Sequence, residues 1–331
     1  MELVCPAGNL PALKSAVDEG ADVVYVGLRD NTNARHFAGL NFTRERMVRG
    51  IEYARAHGTR VFMAINTYAS QQDLSRWHEA VDTAVSLGTD ALILADPGLL
   101  AYAAQKYPDQ PRHLSVQASA TTPEALEFYR QRFGIRRAVL PRVLSLQQVR
   151  AVARETDLEL EVFGFGSLCI MAEGRCQLSS YVTGQSPNTA GVCSPASHVR
   201  WEESGDRCIS RLNGHMIDAF EPGERAGYPT LCKGRFQTGD RIHHALEEPT
   251  SLNTTDLLPQ FRELGIRAIK IEGRQRSPAY VAAVTRVWRQ AIDAVEGHPA
   301  GFRPDPAGQQ TLSRLSEGSQ TTLGAWTRKW Q

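Results

Sequence analysis

Short apolar runs alternate along the first half of the chain with longer stretches in which apolar positions recur every three or four residues. The runs fall at residues 3–5, 23–28, 61–65, 91–95, 114–116, 138–140 and 158–165. They are near-continuously apolar and rich in Val and Ile, as strands buried on both faces of a parallel sheet require. The intervening periodicity predicts helices over 10–19, 43–57, 73–87, 97–107, 122–133 and 145–155. Thr43 and Ser145 stand at capping positions, Pro97 and Pro123 near first turns, and Gly58, Gly88 and Gly134 just past helix ends. A helix at 255–264 closed by Gly265, a strand at 268–271 and a long helix at 277–295 complete the pattern.

The pattern contains eight strands and eight helices in alternation, which calls for parallel pairing through right-handed crossovers. Two architectures satisfy it, a closed TIM-like (β/α)8 barrel and an open doubly wound sheet. The stretch Cys5-Pro-Ala-Gly-Asn9 after the first strand does not carry the G-x-G-x-x-G turn of the open sheet, and this favours the barrel. The expected organisation is an α/β barrel over residues 1–297. A long insertion at 166–250 follows strand seven, and a polar tail occupies 298–331. Short alternating runs at 198–201 and 208–212 predict small antiparallel strands within the insertion. The tail is rich in Pro, Gly, Gln, Ser and Thr and reads as loosely ordered. Its Trp326 and Trp330 either fold back onto the barrel or dock a partner.

Composition narrows the functional classes. The 331 residues include 37 Lys+Arg against 36 Asp+Glu, a net charge of +1. That excludes a protein-wide basic field for nucleic acid or anionic lipid and leaves only local patches such as Arg130, Arg132, Arg136 and Arg137. No apolar run approaches the ~18 residues of a membrane span, and the N-terminus lacks the features of a signal peptide. The expectation is a cytoplasmic protein whose six cysteines are reduced thiols.

Four of those cysteines, Cys169, Cys176, Cys193 and Cys232, lie in the insertion, with 6, 16 and 38 residues between successive members. None of these spacings is the tight pair of a structural zinc site, whereas an iron–sulfur cluster accepts wide, irregular spacing. Zinc and unrelated buried thiols remain the alternatives. Cys5 and Cys208 read as packing residues in strands. No H-E-x-x-H, G-x-S-x-G or Walker loop is present. Loops after barrel strands form the functional face. They carry Asn33, Arg35, His36, Asn66, Tyr68, Asp96, Gln117, Ser119, Arg142, Glu272 and Arg274. The arginines are candidates for holding a carboxylate or phosphate, against the plain alternative of salt bridges across the barrel mouth. His198, His215, His243 and His244 read as surface or supporting residues.

The stretch Glu161-Val-Phe-Gly-Phe-Gly-Ser-Leu-Cys169, followed by Gly174-Arg-Cys176-Gln-Leu-Ser179, resembles the signature of the collagenase-like peptidase (U32) family. So do Pro229-Thr-Leu-Cys232-Lys-Gly, the run from Lys270 to Val281 and the opening Pro6-Ala-Gly-Asn9-Leu. Within that family, the chain's length and the stretch Tyr25-Val-Gly-Leu-Arg29-Asp-Asn-Thr-Asn33-Ala-Arg35-His36-Phe37 are similar to the ubiquinone-biosynthesis members. The resemblance implies a 4Fe–4S cluster on Cys169, Cys176, Cys193 and Cys232 and a heterodimer with the sister protein UbiV. It also implies hydroxylation of the ubiquinone precursor ring without dioxygen, during anaerobic growth, with a hydroxylated metabolite such as prephenate as oxygen donor. A dicarboxylate donor would engage Arg35, Arg142 and Arg274. The substrate's apolar tail implies a lipid-carrying partner. RNA-modifying relatives make an RNA base the alternative substrate, and a scaffold with a structural cluster is a third reading. Without protease motifs, peptide hydrolysis is the least favoured activity.

Overall fold

The computed structural model describes residues 1–36, 39–171 and 175–327. Seven parallel strands come first: β1 (Glu2–Pro6), β2 (Val23–Val26), β3 (Arg60–Ile65), β4 (Ala91–Leu94), β5 (Arg112–Leu114), β6 (Arg137–Val139) and β7 (Glu159–Ser167). Each of the first six leads to a helix: α1 (Leu10–Asp18), α2 (Arg44–Ala56), α3 (Leu74–Ser86), α4 (Pro97–Lys106), α5 (Pro123–Phe133) and α6 (Leu146–Glu155). The caps are those the sequence proposes. Thr43 Oγ1 accepts the Arg46 N–H, and Ser145 and Gln148 form a reciprocal capping box. Gly134 closes α5 at φ 61°, a left-handed conformation that a side chain would oppose.

The insertion contains two short helices, α7 (Gln177–Thr183) and α8 (Pro187–Ala190). A three-stranded antiparallel sheet follows, made of β8 (Val199–Ser204), β9 (Arg207–Leu212) and β10 (His215–Phe220). A hairpin of β11 (Phe236–Thr238) and β12 (Arg241–His243) comes next. Strand β10 is absent from the sequence reading, although Asn213-Gly214, both at positive φ, is a hairpin turn signal. The chain returns to the barrel through β13 (Ser251–Asn253), which pairs antiparallel with the end of β7. Helix α9 (Leu258–Glu263) leads to β14 (Ala268–Ile271), which pairs in parallel with both β1 and β7. This double pairing closes eight parallel strands into a barrel and excludes the open sheet.

Alternate residues of the wall face different ways. Val4, Val23, Tyr25, Phe62, Ala64, Ala91, Ile93 and Ala268 form one buried cluster that fills the lumen. Their neighbours, such as Leu3, Val24, Met63 and Leu92, join the larger core under the helices. The side of the lumen toward β5–β7 and β14 is charged. There Arg137 bonds Glu2 at 2.7 Å and Glu161 at 3.3 Å, and Lys270 bonds Glu161 at 2.6 Å. Arg137 therefore does not belong to the exposed arginine group, because its side chain is 1% exposed and neutralised inside the barrel.

The segment after 298 is more ordered than its composition predicts. Helix α10 (Pro278–Gly297) is followed by α11 (Pro306–Leu315), and β15 (Thr321–Thr322) adds to β13. Trp326 is buried, its ring 4.8 Å from that of Phe261. One aromatic and one added strand anchor what low hydrophobicity alone would leave loose. Trp330 lies outside the described residues. Among the described residues no helix is long and apolar enough to cross a membrane.

Candidate functional site at the barrel mouth

The insertion leaves the C-terminal end of β7 and so crosses the face where the loops after the strands converge. Cys169 stands two residues past β7, and its Sγ lies 3.6 Å from the Met171 carbonyl. Cys176 caps α7, its sulfur accepting the Ser179 N–H at 3.4 Å. The Ser179 hydroxyl in turn donates to the Cys193 carbonyl. Cys232 sits in the single helical turn Leu231–Lys233. All four are free thiols of intermediate burial.

Electrostatics places these sulfurs in one neighbourhood. Burial pushes the Cys232 thiol up to about 12, and Cys169, Cys193 and Cys176 add to the rise while Lys233 opposes it. Burial likewise raises Cys193, which feels Arg35, Cys176, Lys233 and Glu272. Among the described residues no three His, Cys, Asp or Glu side chains are grouped as a metal ion requires. The donor set is nonetheless chemically coherent, four thiols of the kind that soft metals and iron–sulfur clusters take. Cys5 and Cys208 stand apart. Cys5 is buried in the barrel wall, accepting from Thr285 Oγ1 at 3.2 Å, and Cys208 lies on β9.

Beside the cysteines is a charged cluster. Glu272 is buried, which works against its ionisation, but Arg35, Arg142, Arg276 and the Ser167 N–H hold its carboxyl below the usual range. Arg35 approaches it at 3.9 Å. Arg142 packs on the Phe163 ring at 3.7 Å. Arg274 is 5% exposed and donates to Asn33 Oδ1 at 3.0 Å, and burial lowers its pKa to about 10. No carboxylate of the described residues forms an ion pair with it. Asn33 is itself fixed by bonding the Leu28 carbonyl at 2.6 Å. Three glycines make this room. A Cβ at Gly8 would lie 1.9 Å from the Arg274 carbonyl, one at Gly27 2.7 Å from Arg274 Nη1, and one at Gly166 2.6 Å from Glu272 Cβ.

The remaining mouth residues divide between lining and bracing. Asp96 is a helix cap, accepting from Gly98 and Leu99 of α4, so its carboxylate is engaged. Asn66 bridges the Ala34 N–H and Ser115 Oγ. Tyr68 donates to the Gln117 carbonyl at 2.8 Å, and Asn188 of the insertion holds the Tyr68 backbone at both ends. Arg175, next to Cys176, bonds the Gln117 carbonyl and Ser119 Oγ and lies over the Tyr68 ring. His36 bonds the Asn33 carbonyl at 2.9 Å, and His244 the Lys233 carbonyl at 3.0 Å. Sequence reasoning missed Asn188, Arg175 and Lys233, whose partners are more than ten residues away. It also gave no packing role to Gly8 and Gly27, although Gly8 lies in the Pro6-Ala-Gly-Asn9 opening and Gly27 in the stretch from Tyr25; the close backbone approach expected of Gly166 is met at Glu272.

The family model described as Peptidase family U32 matches residues 8–324. The chain belongs to this family. Among its relatives, tRNA hydroxylation protein P1 of Bacillus subtilis is 31% identical over 306 residues, covering 91% of this chain and 65% of that protein. tRNA hydroxylation protein P of Escherichia coli is 32% identical over 324 residues, covering 90% and 69%. The chain thus spans about two thirds of the length of these curated relatives. The solved structure of the U32 peptidase Mk0906 superposes with a TM-score of 0.51 at 14% identity, over 84% of this chain and 94% of that one, and shares the fold. The resemblance read from the cysteine segment is therefore correct at the level of the U32 family, and these two relatives are named for hydroxylation.

Proposed function

We propose that the chain is the iron–sulfur subunit of an oxygen-independent hydroxylase that works in the cytoplasm on the ubiquinone precursor ring, as UbiU does with UbiV. One observation carries the hydroxylase reading: the thiol segment adjoins the charged cluster, since a Cβ at Gly191, two residues before Cys193, would lie 2.9 Å from the backbone N of His36, the neighbour of Arg35, and Cys193 feels both Arg35 and Glu272. Cys169, Cys176, Cys193 and Cys232 would hold a 4Fe–4S cluster, which when bound supplies electron transfer or structural support, each iron already having a protein ligand. Arg35, Arg142 and Arg274 would hold a dicarboxylate oxygen donor such as prephenate. The buried Arg274 donates to Asn33 Oδ1 and forms no ion pair among the described residues, so an incoming carboxylate is compensated there without displacing a protein ion pair. Arg175 and Asn188 tie the insertion to the mouth loops at Tyr68, Gln117 and Ser119. The stretch from Tyr25 to His36 supports the ubiquinone assignment. With a net charge of +1, a lipid-carrying partner suits delivery of the precursor better than an anionic membrane surface.

A second reading, hydroxylation of an RNA base, is favoured by the tRNA hydroxylation relatives. The local basic patch offered for it shrinks to Arg130, Arg132 and Arg136, and Arg130 is paired with Glu127. One experiment separates the readings. The protein is purified without oxygen, alone and with UbiV, and its visible spectrum, iron and sulfide are recorded. A strain lacking it is then grown without oxygen, and its quinone precursors and tRNA nucleosides are measured. Accumulated unhydroxylated precursor with unchanged nucleosides supports the proposal. Loss of a hydroxylated nucleoside with normal quinone supports the RNA reading. Normal product from a four-Cys variant that still folds and pairs makes the chain a scaffold. Protein free of iron even with its partner overturns the cluster.

A further inference from the structure

Lys233 follows Cys232 in the turn Leu231–Lys233, yet it points inward and is 7% exposed. Its Nζ bonds the carboxylate of Glu317, whose side chain is 15% exposed. Glu317 comes from the C-terminal segment just past α11 and is held at its own backbone. Its N–H donates to Ser251 Oγ at 2.9 Å. At the next position, Gly318, with φ +59°, a Cβ would lie 2.4 Å from the Pro249 carbonyl. Ser251 belongs to β13 and pairs with Ser167 at the end of β7. A continuous set of contacts thus joins the barrel wall, the C-terminal segment, Lys233 and the cysteine turn. A cavity of about 50 Å³ beside the pair, lined by Ser210, Tyr228 and His244, leaves the Lys233 chain room to move.

We propose that Glu317, acting through Lys233, is the positioning residue of the Cys232 thiol. A buried ammonium that loses its carboxylate is costly, and the molecule relieves the cost by withdrawing the side chain toward water. Cys232 is the adjoining residue, so the turn and its sulfur move with it. The segment whose composition reads as a loose tail therefore takes part in building the cysteine site. The inference rests on Cys232 being a ligand only for its consequence in the loaded protein.

The test uses metal-free, reduced, full-length protein under a brief pulse of iodoacetamide, with alkylation of each cysteine measured by mass spectrometry. Glu317→Gln raises labelling of Cys232 relative to Cys208 about tenfold, and Glu317→Asp restores most of the original ratio. Lys233→Gln breaks the same pair from the other side, stranding the Glu317 carboxylate in place of the ammonium, and also raises the ratio, so either variant suffices if the other fails to fold. Gln309→Ala loosens the same segment through Asn253 and Thr255 and leaves the ratio unchanged. In protein reconstituted without oxygen, Glu317→Gln also speeds loss of the visible absorbance to a chelator. An unchanged ratio in the Glu317 and Lys233 variants overturns the proposal, as does an equal rise in Gln309→Ala. If the wild type binds no iron, the alkylation ratio still decides the positioning role while the hydroxylase reading falls alone.

Discussion

At the scale of single residues, the mouth is built by exchanging side-chain volume for charge. Gly27 has no positive φ to explain it. Its role is space, since a methyl group there would meet both Arg274 Nη1 and Asn33 Cγ at 2.7 Å. Gly27→Ala should displace the guanidinium, weaken binding of a dicarboxylate probe by calorimetry, and cost about 1–3 kcal/mol in denaturant unfolding. Arg274→Ala should weaken the same binding by at least about tenfold, the loss of one charge-assisted bond, with a smaller effect on stability. Unchanged affinity in both variants would remove Arg274 from the anion site. None of this is legible from residue type alone. Arg35, Arg142 and Arg274 are recognisable as candidates because they follow strands, but which of them lacks a carboxylate partner depends on Asn33 and Glu272, brought in by the closure of the barrel.

At the scale of elements, local chemistry sets the boundaries and distant contacts set the docking. Each helix start that the sequence marks with Thr or Ser is a working cap, because the bond spans only two or three residues. Ser145→Ala removes the Oγ that accepts the Gln148 N–H, leaving the backbone half of the capping box on α6, and should lower stability by about 1 kcal/mol, read as a shifted denaturation midpoint. The C-terminal segment shows the opposite case. Its polar composition predicts disorder, yet β15 pairs with β13 and Trp326 packs on Phe261. Trp326→Ala should cost about 3 kcal/mol, and proteolysis should then open the chain after α10 first. Resistance to cleavage equal to that of the wild type would show that the helix and strand dock without the indole. The missed strand β10 belongs here too. Its turn, Asn213-Gly214, was readable, but its outward positions are too mixed to show alternation.

At the scale of the whole molecule, a charged network joins strands that are far apart in sequence across the base of the barrel. Arg137 serves Glu2, Glu159 and Glu161 together. Burial disfavours the charged forms of Glu2 and Glu161, but Arg137, with Arg60 at Glu2 and Lys270 at Glu161, holds both below their usual value of 4.5. Their contribution to stability is therefore present above about pH 4.5 and is lost as pH falls through the lowered folded-state values. The thermal midpoint should hold between neutrality and pH 5 and drop on further acidification. Arg137→Met should cost about 3–5 kcal/mol at neutral pH, because it strands buried carboxylates, and should flatten the acid limb. A wild-type midpoint that does not fall below pH 4.5 would mean that the carboxylates are not ionised in the folded state.

The amino-acid sequence alone determined the order of the barrel strands and helices, most of their limits, the place of the insertion and the presence of Cys169, Cys176, Cys193 and Cys232 within it. Hydrophobic period, caps and motif spacing act over a few residues and survive in one dimension. Tertiary structure alone decided that β14 closes on β1, that Arg137 lies in the lumen rather than on a basic surface, and that the C-terminal segment reaches Lys233. Each of these depends on pairing between residues far apart in the chain, where burial and charge balance are set by neighbours that no local pattern contains.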